Sequence, residues 1–152
     1  MSEKFRLRWG ILATGNIARV FARDLWVDPT TRGVEDIEHV VVGAASSSSI
    51  IKAQEFLTEV RAPKHAKAYN DYSQLVADPD VDIVYISSPN SHHFRHAMLC
   101  LEAGKNVLCE KPFTINAAQL QKLVAVAKEK GLFLMEGVRA CPCNTTCAVE
   151  TD

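Results

Sequence analysis

The chain of 152 residues has room for one domain and not comfortably for two. Its 47% apolar and 23% charged residues can build a buried core, which excludes a disordered chain and a membrane-embedded one. The 17 basic and 18 acidic residues give a formal charge of -1, which offers no electrostatic basis for binding nucleic acid or a membrane surface. The sequence contains no signal-peptide core, and its five irregularly spaced cysteines make a poor disulfide framework, so we expect a cytoplasmic protein.

The first part of the chain predicts a strand, a helix and a second strand. Residues 5–12 alternate and then become continuously apolar, as in a strand that enters a sheet covered on both faces. Apolar side chains at helical spacing predict a helix over residues 16–26. Residues 28–36 are polar and predict a loop, after which residues 37–45 predict the second strand.

Helices and strands continue to alternate as far as residue 136. The predicted elements are a helix over 50–60, a strand over 67–69, a helix over 71–77 with Asp71 as N-cap, a strand over 82–87, a helix capped by Ser91 and ended by Gly104, a strand over 106–109, a helix over 116–130 ended by Gly131, and a strand over 132–136. This alternation implies right-handed βαβ crossovers and an α/β fold with a doubly wound, mostly parallel sheet. A complete dinucleotide-binding domain is therefore predicted over residues 5–136.

The first strand leads directly into Ala13-Thr14-Gly15-Asn16-Ile17-Ala18, where a dinucleotide-binding fold carries the motif G-x-G-x-x-G/A. At Gly15 the backbone can approach a pyrophosphate, and the N–H groups of the following helix attract the anion. Ala18 lets the helix pack closely on the strand, while Ala13 replaces the first glycine of the motif. An ordinary tight turn between strand and helix is the alternative interpretation.

The end of the second strand distinguishes between two cofactors. An acidic residue there binds the ribose 2′-hydroxyl of NAD, whereas a hydroxyl or arginine donor accommodates the 2′-phosphate of NADP. The residues at this point are Ala44, Ala45, Ser46 and Ser47, with no carboxylate, so NADP is favoured over NAD. The alternative is that the serines of this segment only cap the next helix, which we expect of Ser48 or Ser49 in any case.

Two further polar junctions follow predicted strands, at Ser87–His93 and at Cys109–Pro112. The carboxyl ends of parallel strands form the edge where open α/β sheets bind ligands. The first junction brings three histidines close in sequence, namely His92, His93 and His96. Since no cysteine or carboxylate completes a ligand set, we predict a solvated helix face here and no metal site.

The chain resembles the glucose-fructose oxidoreductase / inositol dehydrogenase / MocA (Gfo/Idh/MocA) family. Three segments carry the resemblance, Ala13–Ala18, Tyr85–His93 and Glu102–Pro112, and the similarity extends over about residues 5–137. Within the family, the sequence is most similar to the branch of NADP-dependent D-xylose 1-dehydrogenases and dimeric trans-dihydrodiol dehydrogenases. The resemblance implies an NADP-dependent oxidoreductase with a Rossmann domain.

The resemblance also implies which residues bind the cofactor. The segment Ala13–Ile17 holds the pyrophosphate, Ser46 and Ser47 lie near the adenosine ribose, and other residues line the cofactor cleft. The full implied set is Ala13, Thr14, Gly15, Asn16, Ile17, Ser46, Ser47, Pro89, Asn90, His93, Glu110 and Lys111.

In this family the lysine that corresponds to Lys111 stands beside the nicotinamide and the substrate, which makes Lys111 the implied catalytic residue. An ammonium at that position orients the reacting hydroxyl and stabilises an alkoxide as hydride leaves the carbon. The residue after it, Pro112, is often preceded by a cis peptide bond in relatives. The alternative for Lys111 is an ordinary surface charge after a strand.

The sequence departs from the family after Val138. Relatives continue into a second domain that supplies the substrate pocket, an acid-base residue and usually the homodimer interface. Here residues 137–152 form a tail that contains Cys141, Cys143 and Cys147. We expect this tail to be disordered and to arise from a shifted reading frame, an alternative splice or a gene-model error.

The function expected from the sequence is therefore the NADP-binding half of an oxidoreductase. The complete enzyme transfers hydride between NADP and the hydroxyl carbon of a sugar such as D-xylose, or of a trans-dihydrodiol. We expect the chain to be inactive alone, because the substrate pocket is missing. Two alternatives remain, a non-catalytic nucleotide-binding or regulatory fragment and a remnant that aggregates through exposed apolar surface.

Overall fold

The computed structural model describes residues 4–138. In these residues the strands are β1 (Phe5–Leu12), β2 (Ile37–Ala45), β3 (Lys67–Tyr69), β4 (Ile83–Ile86), β5 (Asn106–Glu110) and β6 (Leu134–Gly137). The helices are α1 (Asn16–Asp24), α2 (Ile50–Glu59), α3 (Tyr72–Ala77), α4 (His93–Glu102) and α5 (Ala117–Lys130). Short 3₁₀ turns at Pro29–Arg32 and Asn90–His92 complete the description. The predicted tail begins at Gly137, which belongs to β6. From residue 139 onward, the tail lies outside the described residues.

The strands form one sheet in the order β3-β2-β1-β4-β5-β6, and every pair of neighbours is parallel. The chain winds outward in one direction from β1 and in the other from β4, which confirms the predicted doubly wound sheet. At the carboxyl edge, Leu12 of β1 is level with Ala45 of β2 and Ile86 of β4. The loops that follow these central strands therefore emerge side by side.

Helices cover both faces of the sheet. On one face, α1 and α2 pack through Ala18, Ala22 and Phe56, which are completely buried. On the other face, α3, α4 and α5 contribute Leu75, Ala97, Cys100, Leu101 and Leu123 to a second apolar cluster. Because the central strands are buried on both faces, they read as continuous apolar runs in the sequence.

Most of the predicted helix ends are confirmed. Ser49 and Asp71 each accept a hydrogen bond from a backbone N–H in the first turn of the helix that follows. Gly104 and Gly131 follow their helices with left-handed φ values of 76° and 64°. After α5, the N–H of Leu132 bonds to Ala127 O at 2.9 Å, so Leu132 belongs to the helix end and β6 begins two residues later than predicted.

Two predictions around α4 are wrong. Ser91 does not cap the helix, because the chain first makes the 3₁₀ turn Asn90–His92, and the Ser91 hydroxyl contacts the ring of His92 instead. His93 and His96 do not lie on a solvated face, since they are 1% and 7% exposed, whereas His92 is exposed as predicted. Both rings have hydrogen-bond partners, which lets polar side chains occupy the buried side of the helix.

None of the helices between residues 4 and 138 is both long enough and apolar enough to cross a membrane.

Candidate functional site

The turn between β1 and α1 leaves the N-terminus of the helix open. Gly15 is the N-cap residue, with a φ of -74°, and it supplies no side-chain hydrogen bond to the first turn. A Cβ atom added at Gly15 would have no heavy atom within 4 Å. The N–H groups of this turn and the positive end of the helix dipole therefore border open space and suit an anion.

Ala13 has a backbone conformation that normally favours glycine. Its φ is 72°, which puts it in the left-handed region at the position of the first glycine of the motif. The N–H of Ala13 donates to Ala45 O at 3.1 Å, and the Ser87 hydroxyl donates to Ala13 O at 2.9 Å. Arg19 of α1 donates to Thr14 O at 2.9 Å. The loop is thus fixed by bonds to both neighbouring strand ends and to its own helix.

The serines after β2 divide into two roles. Ser49 caps α2, as expected of Ser48 or Ser49. The cap involves this serine alone and not the whole run of serines. Ser46 is buried with its Oγ 3.1 Å from Ser48 Oγ, whereas Ser47 is exposed and accepts a hydrogen bond from the hydroxyl of Tyr72 at 3.3 Å. This end of β2 thus presents hydroxyl groups and no carboxylate.

After β4, Pro89 and Asn90 are exposed, while His93 lies behind them. The ring of His93 contacts two backbone carbonyls, with Nε2 2.8 Å from Ser88 O and Nδ1 2.7 Å from Pro112 O. A carbonyl oxygen only accepts, so each of these contacts is one in which the ring nitrogen is the donor. His93 therefore ties the loop after β4 to the loop after β5.

His96 connects the same loop to the serines after β2. Its Nδ1 is 2.8 Å from Ser88 Oγ, and its ring packs edge-on against Tyr72, with the ring centroids 4.8 Å apart. Burial, followed by the proximity of His92, lowers the pKa of His96 to about 4. The ring is therefore neutral near pH 7, and its Nδ1 shares a hydrogen bond with the Ser88 hydroxyl.

The loop after β5 carries Lys111, whose side chain is exposed and whose peptide bond to Pro112 is cis, as the resemblance implied. Glu110 accepts a hydrogen bond from the hydroxyl of Tyr85. Glu136, at the end of β6, accepts a hydrogen bond from the N–H of Phe113 over 2.8 Å. Glu110 and Phe113, which flank Lys111-Pro112 in the chain, are thus each bonded to a side chain of another strand.

The structure gathers the sequence-predicted site residues at one edge of the sheet, in the loops after β1, β2, β4 and β5. The side chains of His93 and Glu110 are engaged with protein partners there, and those of Ser47, Asn90 and Lys111 are exposed. Sequence reasoning missed Tyr72, Tyr85 and Glu136, since no local motif marks a side chain that acts across strands. Between residues 4 and 138, no three His, Cys, Asp or Glu side chains are grouped so that they could hold a metal ion.

Comparison with known proteins identifies related sequences for most of the chain. The chain is 57% identical over 134 residues to a D-xylose 1-dehydrogenase (NADP(+)) of Hypocrea jecorina, an alignment that covers 88% of this chain and 34% of that protein. It is 41% identical over 132 residues to a trans-1,2-dihydrobenzene-1,2-diol dehydrogenase of Mus musculus, covering 87% of this chain and 37% of the relative. The chain therefore spans about a third of the length of these curated relatives.

Solved structures give the same result. An NAD binding oxidoreductase from Klebsiella pneumoniae superposes with a TM-score of 0.79 at 30% identity, covering 88% of this chain and 34% of the other. A 3-ketoreductase from Actinomadura kijaniata in complex with NADP has a TM-score of 0.74 at 31% identity, covering 87% and 38%. Residues 7–138 match the family described as "Oxidoreductase family, NAD-binding Rossmann fold". The chain belongs to this family, Gfo/Idh/MocA, through its dinucleotide-binding domain.

Proposed function

We propose that this chain is the NADP-binding part of a dehydrogenase. The complete enzyme would transfer hydride between NADP and the hydroxyl-bearing carbon of a sugar, such as D-xylose, or of a trans-dihydrodiol. The observation that carries the proposal is the open N-terminus of α1 beside Gly15, at the point where the strand order reverses. The name of the Hypocrea jecorina relative supports the NADP preference, and the names of both curated relatives support the two substrate classes.

The residues at this edge fit a dinucleotide. The first turn of α1 and the loop Ala13–Ile17 would hold the pyrophosphate, because the space in front of Gly15 is open and no acidic side chain lies in that turn. Ser46 and Ser47 would face the adenosine ribose, where hydroxyls tolerate a 2′-phosphate that a carboxylate would repel. Pro89 and Asn90 would border the cleft, with His93 behind them.

Lys111 would act at the reacting end. NADP, when bound, supplies the acceptor for the hydride. The Lys111 ammonium would donate a hydrogen bond to the substrate hydroxyl and stabilise the negative charge that develops on its oxygen. The hydroxyl proton needs a base, which we expect from the part of the relatives that lies beyond this chain. On this proposal the chain alone binds NADP and does not turn over substrate.

The decisive experiment adds a side chain at Gly15. Because the site around Gly15 is empty and its φ is negative, Gly15→Val leaves the fold intact while its side chain fills the space in front of the helix. We expect the affinity for NADPH, measured by fluorescence titration, to fall by at least about tenfold, because a contact with the pyrophosphate is lost. The control is Val20→Gly on the exposed side of α1, which costs about 0.5–1 kcal/mol of stability without touching the loop. Equal NADPH affinity in Gly15→Val and the unchanged chain would refute the proposed site.

A second measurement addresses catalysis. The purified chain is incubated with NADP and either D-xylose or a trans-dihydrodiol, and formation of NADPH is followed by absorbance. We expect no turnover above the background without protein, although NADPH binds. A sustained rate that disappears in Lys111→Met would instead mean that this chain already contains a complete active site.

A further inference from the structure

We propose that Glu136 is a positioning residue for Lys111. It would act by fixing the peptide group that follows the Lys111-Pro112 turn, and not by touching cofactor or substrate. The inference rests on the role proposed above for Lys111 at the reacting end of the site.

One peptide group, between Pro112 and Phe113, is held at both ends by side chains from different elements. Its N–H donates to Glu136 Oε1 over 2.8 Å, and its carbonyl oxygen lies 2.7 Å from His93 Nδ1. Glu136 comes from β6 and His93 from the start of α4. Two bonds in opposite directions on one planar group fix the orientation of its plane, and with it the direction in which the chain leaves Lys111.

The packing of Phe113 in the core also holds this peptide group in place. The side chain of Phe113 is 8% exposed and belongs to the apolar cluster that α4 and α5 build on the sheet. On the other side of Lys111, the carboxylate of Glu110 accepts from the buried Tyr85. The backbone is therefore held before and after Lys111, while the Lys111 side chain itself remains exposed.

Glu136 is well suited to hold this turn in place. In the register of β5 with β6, it is level with Cys109, two residues before Lys111, so its side chain has a short reach to the turn. A carboxylate accepts a backbone N–H more strongly than a neutral oxygen does. A glutamine has an oxygen at the same position and can accept the same hydrogen bond, whereas an alanine cannot.

A purely structural role for Glu136 is the competing explanation. In that case its loss would disturb β6 and lower stability without a selective effect on Lys111. The two roles are separated by a signal from the Lys111 side chain together with a measurement of binding at the far end of the cofactor site.

The experiment uses the full chain with its lysines carrying ¹³C-methyl groups, a modification that keeps their charge. The resonance of Lys111 is assigned with Lys111→Arg, and NADP is then added. We expect the Lys111 resonance to shift in the unchanged chain and in Glu136→Gln, and to lose most of this shift in Glu136→Ala. The affinity for 2′,5′-ADP, which occupies only the adenosine end, should stay within about twofold in all three, as for independent sites.

Two outcomes would overturn the proposal while leaving NADP binding intact. One is a full Lys111 shift in Glu136→Ala, and the other is a Glu136→Gln variant that behaves like Glu136→Ala. If the unchanged chain fails to bind 2′,5′-ADP, the proposed function itself falls, and the role of Glu136 falls with it.

A measurement without any variant guards against an alanine substitution that prevents folding. The amide of Phe113 should exchange with solvent hydrogen slowly, because Glu136 accepts its hydrogen bond. If the Phe113 amide exchanges as fast as an unprotected amide, Glu136 does not hold it, and the proposal is overturned.

Discussion

The hydroxyl of Ser87 donates to the carbonyl oxygen of Ala13 over 2.9 Å and so joins the loops that follow β4 and β1. These are the two strands between which the order of the sheet reverses. Together with the bond from the N–H of Ala13 to Ala45 O, this contact holds an alanine at a φ of 72°. The loop therefore keeps the shape of a glycine turn without the glycine.

Replacing Ala13 with glycine should stabilise the fold. A left-handed conformation costs an L-residue about 1–2 kcal/mol, of which the greater freedom of glycine in the unfolded chain cancels about 0.4–1 kcal/mol. We therefore expect Ala13→Gly to raise the free energy of unfolding in urea by about 0.5–1 kcal/mol. Ala18→Gly, inside α1, is the control and should lower it by a similar amount or more. A loss of stability in Ala13→Gly would show that the bonds from Ser87 and to Ala45 relieve the strain completely.

The stability of the domain should depend on pH through His96. Burial lowers the pKa of His96 from 6.5 to about 4, so the unfolded chain binds a proton at this site more readily than the folded one between those values. The free energy of unfolding therefore falls as pH decreases from 6.5 to about 4, with His96 contributing at most about 3 kcal/mol. His96→Asn, which keeps a hydrogen-bonding partner for Ser88 and cannot take up a proton, should flatten this part of the curve. The measurement is urea unfolding at several pH values, and an unchanged slope in His96→Asn would contradict the prediction.

The cofactor preference should change with a carboxylate after β2. Ser47→Asp adds a group that accepts from the 2′-hydroxyl of NAD and repels the 2′-phosphate of NADP. We expect NADPH to bind at least about tenfold more weakly and NADH to bind unchanged or more tightly, because two like charges placed next to each other cost at least about 1.4 kcal/mol, which corresponds to tenfold in affinity. Tyr72→Phe is the matched control, since it removes the hydroxyl that contacts Ser47 and adds no charge. A parallel loss of both nucleotides in Ser47→Asp would indicate general damage to the loop.

A charged cluster at the opposite edge of the sheet should contribute to stability. Asp78, whose side chain is 4% exposed, accepts hydrogen bonds from Tyr69 and from Lys67. Burial alone would raise the pKa of Asp78, but the bonds from Tyr69, from the N–H of Asp80 and from Lys67 outweigh it and lower the pKa. This contribution is present above the unfolded pKa of 3.8 and is lost as the pH falls through the lower folded value.

Asp78→Asn removes the charge at neutral pH and should cost about 1–3 kcal/mol of unfolding free energy. Asp80→Asn, at a side chain that is 56% exposed, is the matched control and should cost less than about 1 kcal/mol. Both costs are to be measured by urea unfolding at pH 7. Equal effects of the two substitutions would mean that burial of Asp78 adds nothing.

The helices and strands could be predicted because burial on one or both faces leaves a periodic signal in the sequence. The six strands, the left-handed turns at Gly104 and Gly131 and the cap residues Ser49 and Asp71 are local features of this kind. The sequence also identified the loops of the candidate site, because polar residues end each strand at the same edge.

The histidines of α4 were misjudged for a physical reason. Polar residues on a helix normally face solvent, yet here His93 finds carbonyl acceptors and His96 finds the hydroxyl of Ser88 on the buried side. One of these partners, Pro112, is distant along the chain. The other, Ser88, lies in the loop before α4, whose geometry was not predicted. The bonds of Tyr85 to Glu110 and of Phe113 to Glu136 were likewise out of reach, since they depend on strand neighbours and not on local spacing.

In the part of the sheet that the structure describes, β6 is an outer strand, paired only with β5. Outer strands open more often than central ones, on a timescale that hydrogen exchange detects. Each opening of β6 would withdraw Glu136 from Phe113 and free the backbone beside Lys111. The order of the backbone beside Lys111 would then depend on the local opening of Leu134–Gly137 more than on the global stability of the domain.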